Sequence, residues 1–180
     1  AGTNITVTNG SNFLIEGSNR GYVNSPIIHV EDSTFTVQNC TSNAYNGGNF
    51  TAINSKIYFL NNNGHGLSAS KLSLTKSSLT ANENNLCGVI VTDETSIQNS
   101  NVTIDKNKVN SDLKGRWARP GAFVVKNTSA TISADSTVSI CDNGGSGIFL
   151  WGANASLDMQ SGTIMRNTAN KSGFGGGIYN

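Results

Sequence analysis

A chain of 180 residues with 12 basic and 11 acidic side chains carries a formal charge of +1, and 36% of it is hydrophobic. Charges are too few for a disordered polyelectrolyte, and near-neutrality gives no reason to expect nucleic acid or an acidic membrane as partner. The polar mass is uncharged instead: 26 Asn, 39 Ser plus Thr and 20 Gly, types that disfavour helix and suit short strands joined by tight turns.

In chain order, one frame recurs: Ser-x-apolar-x-apolar-x-x-Asn. It is loose in SNFLIEGS at Ser11, STFTVQNC at Ser33 and SKIYFLNN at Ser55, and tighter in SSLTANEN at Ser77, SNVTIDKN at Ser100 and STVSICDN at Ser136. A last copy, QSGTIMRN, begins at Gln160, so successive copies start 22, 22, 22, 23, 36 and 24 residues apart. Behind the frame come a glycine and a short apolar segment: GLSAS at Gly66, GVIVT at Gly88, GAFVV at Gly121, GIFLW at Gly147 and GGIYN at Gly176. A third alternating segment follows in most copies, as KLSLT at Lys71, TSIQN at Thr95, SATIS at Ser129 and ASLDM at Ala155.

Three short strands per repeat of about 22 residues predict an all-β fold, a right-handed parallel β-helix of about seven coils. Like residues then stack. Phe13, Phe35, Ile57, Leu79, Val102 and Val138 form one inward file, and Ile15, Val37, Phe59, Ala81, Ile104, Ile140 and Ile164 the next. Asn62, Asn84, Asn107, Asn143 and Asn167 share one turn position, where their amides are expected to form a hydrogen-bonded ladder and to tolerate left-handed dihedrals. Ser18 and Cys40 stand in that place in the first two coils. Cys40, Cys87 and Cys141 are widely spaced and read as buried free thiols, with no CxxC to suggest zinc.

The recurring frame with its following Gly-apolar strand resembles the parallel β-helix repeat family, in which N-x-x-x-G-I-x-L linkages recur once per coil. The closing NTANKSGFGGGIYN is similar to repeats of large prokaryotic surface adhesins and to the GG-apolar motif of chlamydial polymorphic outer-membrane proteins, whose partner F-x-x-N motif occurs once here, as FLNN at Phe59. The resemblance implies a scaffold displayed outside the cell. GGGIYN reads as the second strand of the last coil, with no polar cap behind it. Residues 1–180 are therefore expected to be one domain cut from a longer chain, with open ends that would permit end-to-end association.

Catalysis on such a scaffold needs paired carboxylates, or a basic residue with calcium ligands, converging across neighbouring coils. Aligning the copies sets Asp93 beside Lys126 and Glu94 beside Asn127, leaves Glu31 and Asp32 three coils away, and gives Asp105 and Asp142 no third acid. His29 and His65 are solitary, and no metal or cofactor is expected. Ice binding would require ranks of Thr, and the Thr positions wander. Eight N-x-S/T triplets are about what chance gives at this composition.

One interval breaks the monotony. Between Ser100 and Ser136 about fourteen extra residues from Lys108 form an insertion, 108–121, rich in Lys108, Lys114, Arg116, Trp117 and Arg119 against Asp112. If Ile148 and Leu150 point inward, Phe149 and Trp151 point out, and an outward column runs Ile90, Phe123, Phe149 and Tyr179 with Val125 and Trp151 beside it. Leu113 and Trp117 lying over that patch, a glycan groove and a protein interface all remain open. The reading that follows is an extracellular, cell-surface adhesin or stalk. It would bind a host or cell-surface protein or glycan through Lys114, Arg116, Trp117, Arg119, Phe123, Phe149, Trp151 and Tyr179. The alternatives are a polysaccharide-processing enzyme, or its carbohydrate-binding portion, and an inert spacer.

Overall fold

The computed structural model describes residues 3–19, 23–109, 121–168 and 176–180. Among these, seven strands carry the recurring frame: β2 (Asn12–Glu16), β4 (Thr34–Gln38), β6 (Lys56–Leu60), β8 (Ser78–Asn82), β10 (Asn101–Asp105), β13 (Thr137–Cys141) and β16 (Thr163–Met165). They form one parallel sheet in that order. The other sheet runs β1 (Ile5–Val7), β3 (Ile27–Glu31), β5 (Tyr45–Ile53), β7 (Leu67–Thr75), β9 (Val89–Gln98), β11 (Gly121–Lys126), β14 (Ser146–Trp151) and β17 (Ile178–Tyr179). Two further strands, β12 (Ser129–Ile132) and β15 (Ser156–Met159), extend it beside β9.

Each strand pairs with its equivalent one repeat away, which makes an all-β parallel solenoid of about six turns roughly 23 residues apart. The count is lower than the seven frame copies suggest because the first and last copies belong to partial coils. Where three separate strands are expected, the second and third merge into one bent strand in β5, β7 and β9, and separate again as β11 with β12 and β14 with β15. The long loop does not disturb the stack: Val102 pairs with Val138 and Ile104 with Ile140 across it.

Alternation fills the interior. Both predicted inward files stand in register, and Phe35, Val37, Ile57, Phe59, Ala81 and Ile140 have no exposed surface. The bent strands add the files Phe50–Leu72–Thr95–Ala130 and Ala52–Leu74–Ile97–Ile132. The early coils are aromatic: Phe13 stacks on Phe35 at 4.8 Å, and Phe35, Phe50, Phe59 and Tyr45 meet edge to face at 5.6–6.1 Å. Fully burying one such side chain stabilises by about 1.5–3 kcal/mol, so these files dominate folding energy.

Two polar ladders close the turns. Each of Asn62, Asn84, Asn107 and Asn143 donates Nδ2 to the Oδ1 of the next ladder residue at 2.8–3.0 Å. That Oδ1 also accepts the backbone N–H of the residue below, from Cys40 up to Asn143, at 2.9–3.2 Å. The second Nδ2 hydrogen goes to a strand carbonyl, Val37, Phe59, Ala81, Ile104 or Ile140, at 2.8–3.2 Å. Every donor and acceptor of the buried amide is thus used.

At the opposite turn Ser33, Ser55, Ser77, Ser100 and Ser136 do the same work with hydroxyls. Each Oγ accepts the N–H of the serine one coil earlier at 3.0–3.2 Å. The left-handed backbone falls on the residue before each ladder member, not on the ladder asparagine: Gly17, Asn39, Asn61, Glu83, Lys106, Asp142 and Arg166 have φ between 51° and 64°. Gly10, Asp32, Asn54, Lys76 and Asn99 precede the serines in the same conformation. That strained step turns the next side chain inward.

Cys40, Cys87 and Cys141 are buried free thiols, as expected. Three tests follow from this packing. Asn84→Ala removes four ladder bonds and strips the buried Asn62 backbone N–H and one of its Nδ2 hydrogens of their acceptor, so chemical denaturation should register a loss of about 4 kcal/mol; a loss near the ~0.5 kcal/mol of a surface change would contradict the ladder's role. Thr95 stands in an inward file with its Oγ1 buried and unbonded, so Thr95→Val should raise stability by about 1 kcal/mol. Burial pushes the Tyr45 hydroxyl up to about 12 from 10.0. Because the folded value lies above the unfolded one, stability present below pH 10.0 should fall as pH rises toward about 12, and Tyr45→Phe should flatten that slope in alkaline melts.

Candidate functional site

The outward column exists, with one member changed. Strand register sets Ile90 beside Val124, Val124 beside Phe149, and Phe149 beside Tyr179. Phe123 pairs instead with Val89 and Ile148 in the core, and Val125 with Val91 and Leu150. Both are buried, so neither is available to a ligand. Matching GAFVV to GIFLW by their glycines is off by one residue, since Gly121 pairs with Ser146 and not with Gly147. Val124 therefore takes the outward place. Phe149 and Trp151 do face outward, half-buried, as the alternation of GIFLW requires.

Ile90, Val124 and Cys87 form a second apolar cluster on the outside of the wall, fully buried, and Phe149 and Trp151 pack against it. The aromatic rings lean on one another. Phe149 stacks on Trp151 with centroids 5.9 Å apart and planes 16° from parallel, and Tyr179 tilts against Phe149 at 5.3 Å. The Lys126 ammonium lies 4.6 Å from the centre of the Trp151 ring. Phe149 and Trp151 thereby spend ring faces on each other, and Trp151 also faces a cation.

The insertion proper is shorter than the sequence suggests. Lys108 donates its N–H to Asn84 O at 2.9 Å, as Asn85 does to Asn62 O at 2.8 Å, so Lys108 occupies the place of Asn85 in its coil. Val109, 2% exposed, then matches Leu86, and the pairing of Phe123 with Val89 matches Gly121 to Cys87. Residues 110–120 are thus inserted between two positions that are adjacent one coil earlier. Lys114, Arg116, Trp117 and Arg119 lie outside the described residues.

Gly121, where the chain returns, lies against the column: a Cβ there would sit 2.6 Å from Phe149 Cβ and 2.9 Å from its backbone N. No side chain fits. Glycine at 121 is a requirement of that close approach.

The charged groups sort differently from the sequence alignment. Asp93 and Glu94 pair with Lys71 of the coil before, at 3.7 and 3.3 Å, while Lys126 goes to Trp151 and the residue beside Glu94 is Ser129. The one-residue offset at Gly121 moves Lys126, and one extra residue between β11 and β12 brings Ser129 beside Glu94. Hydrogen bonding to Glu94, with Asp93 adding to it, holds the Lys71 ammonium above its usual range. Arg166 grips both oxygens of Asp142 at 2.7 Å and holds that carboxyl below its usual range.

Neither histidine is solitary. His29 approaches Glu31 at 3.4 Å, and His65 continues a short ladder, its N–H donated to Asn43 Oδ1 and its Nδ1 accepting the Cys87 N–H at 3.1 Å. Among the described residues no three His, Cys, Asp or Glu side chains gather as a metal site.

The threonines also align better than they read. Thr36, Thr80, Thr103, Ser139 and Thr163 share one outward file, interrupted by Tyr58 and begun by Leu14. At the last coil Leu157, Met159, Ile164 and Ile178 line an open hollow. No protein family, curated protein or solved structure matches the chain.

Proposed function

We propose that this chain is a segment of an extracellular adhesin or surface stalk, and that it binds its target through the side face built on β9, β11, β14 and β17. One observation carries the reading: an apolar and aromatic column, Ile90–Val124–Phe149–Tyr179 with Trp151, unbroken over four strands on the outside of a wall whose other outward files carry apolar side chains only singly, as at Leu14, Ile27 and Met165. Side chains pointing away from a solenoid core gain nothing from that core. Ile90 and Val124 are buried within the column, so Phe149, Trp151 and Tyr179 are the members that a partner would reach.

The scaffold suits the task. Register-locked coils hold Phe149, Trp151 and Tyr179 at fixed separations, so little side-chain freedom is lost on binding. The chain re-enters the coil at Gly121, close against Phe149. Ring faces already engaged by Trp151, Phe149 and Lys126 favour a cell-surface protein over a glycan as the target.

Binding to cell surfaces and to a glycan array, measured for the wild type, Phe149→Ser with Trp151→Ser, and Trp117→Ala with Arg116→Ala and Arg119→Ala, tests this reading. The outward double variant should lose about tenfold or more in affinity for cells, with an unchanged β-type circular dichroism spectrum. Equal binding by all three would remove the side face from consideration, and binding confined to glycans would reverse the preference for protein.

A further inference from the structure

We infer that His65 makes one step of the wall sensitive to acid: protonation of its ring releases the backbone of Cys87 and loosens the coil beneath Phe149 and Trp151. The inference stands apart from the binding role proposed for that face. At this corner of the solenoid each coil holds the next through a side chain. Asn43 Oδ1 accepts the His65 N–H at 2.8 Å, and one coil later His65 Nδ1 accepts the Cys87 N–H at 3.1 Å. The two acceptors do the same work with different chemistry. An amide oxygen accepts throughout the physiological pH range, whereas an imidazole nitrogen accepts only while it carries no proton.

Burial makes the loss of that acceptor costly. Cys87 is 1% exposed and His65 8%, so a Cys87 N–H without its partner has little access to water. Protonation at Nδ1 also sets one N–H against another, whatever the Nε2 side of the ring meets. The described neighbours of His65 in this file are neither carboxylates nor ammonium groups: the Asn43 amide before it, and the Cys87 backbone and thiol after it. The coil of Asn43, residues 33–54, holds no charged side chain. In the coils of His65 and Cys87, Asp93 and Glu94 pair with Lys71, while Lys56, Lys76 and Glu83 are exposed. A folded state that resists the proton keeps its full stability above the ordinary histidine range, near about pH 6.5, and loses stability as pH falls below it.

Release at Cys87 reaches the outer face. The Cys87 carbonyl accepts the Gly66 N–H at 3.0 Å, so this residue is tied to the coil of His65 twice. Its side chain packs with Ile90 and Val124, the apolar bed against which Phe149 and Trp151 lie. Strand β9 begins two residues on, at Val89. Acid therefore acts on the entry to β9 and on the underside of the aromatic face together.

Hydrogen exchange of the Cys87 amide between about pH 7.5 and about pH 5.5, corrected for intrinsic exchange, tests this. Protection at Cys87 should fall about tenfold on acidification, while protection at Asn62, whose N–H goes to Asn84 Oδ1, should hold. The chain has two histidines, which makes assignment direct. His65→Asn keeps an acceptor of the kind that Asn43 supplies and should abolish the fall, and His29→Gln should leave it unchanged. The NMR shift of His65 Nδ1 in the unsubstituted chain needs no variant. It should report a bare nitrogen at neutral pH and a proton gained over the range in which Cys87 loses protection.

The inference is overturned if Cys87 protection does not change with pH, if His65→Asn keeps the fall, or if His29→Gln removes it. A proton already on Nδ1 at neutral pH would overturn it as well.

Discussion

Each coil is held by the coil below it, and the tightest part of that grip is a buried asparagine. A parallel solenoid must bury its turns as well as its strands, and turn backbone has no ladder of its own to satisfy it. The side chain at Asn62, Asn84, Asn107 and Asn143 supplies what is missing: an acceptor for the previous coil's N–H, and donors for a strand carbonyl and the next amide. Serine meets the same need at the other turn with one oxygen. Once both turns are satisfied, register has no freedom, and alternation alone decides which side chains are core and which are surface.

That dependence explains what could be read from the sequence. The asparagines recur at one frame position, so the ladder and the inward files of the first strand were legible directly. The serines recur as plainly, yet a serine that opens a frame looks like any turn residue until its Oγ is seen accepting across coils. The residue before each ladder member hides its role completely. Glu83, Lys106, Asp142 and Arg166 share a left-handed backbone and no chemistry, because what the turn demands there is a dihedral and not a side chain.

The outward column is legible in kind and wrong at Phe123 and at Val125 beside it, for a related reason. Aligning apolar strands by their leading glycines works for Gly88 and Gly147 and fails for Gly121, where the chain re-enters after the insertion one position out of phase. Parity carries more information than chemical likeness: Phe123 resembles Phe149 but pairs with Ile148, and so belongs to the core. Lys126 moved with it. The aligned copies set it beside Asp93, and the same one-residue offset puts it in register with Trp151, over whose ring it lies.

The insertion then looks less like an interruption than a property of the coil. A solenoid tolerates added chain wherever the two flanking residues keep their neighbours above and below, since stability is close to a sum over coil interfaces. Lys108 keeps its bond to Asn84, Val109 stays buried, and Gly121 meets Phe149. The coil's own contacts hold the residues that flank the insertion, Val109 and Gly121. The aromatic column, too, is tied to the wall: Phe149 and Trp151 pack against the buried cluster of Ile90, Val124 and Cys87, so a shorter polar side chain at either place would open apolar surface to water.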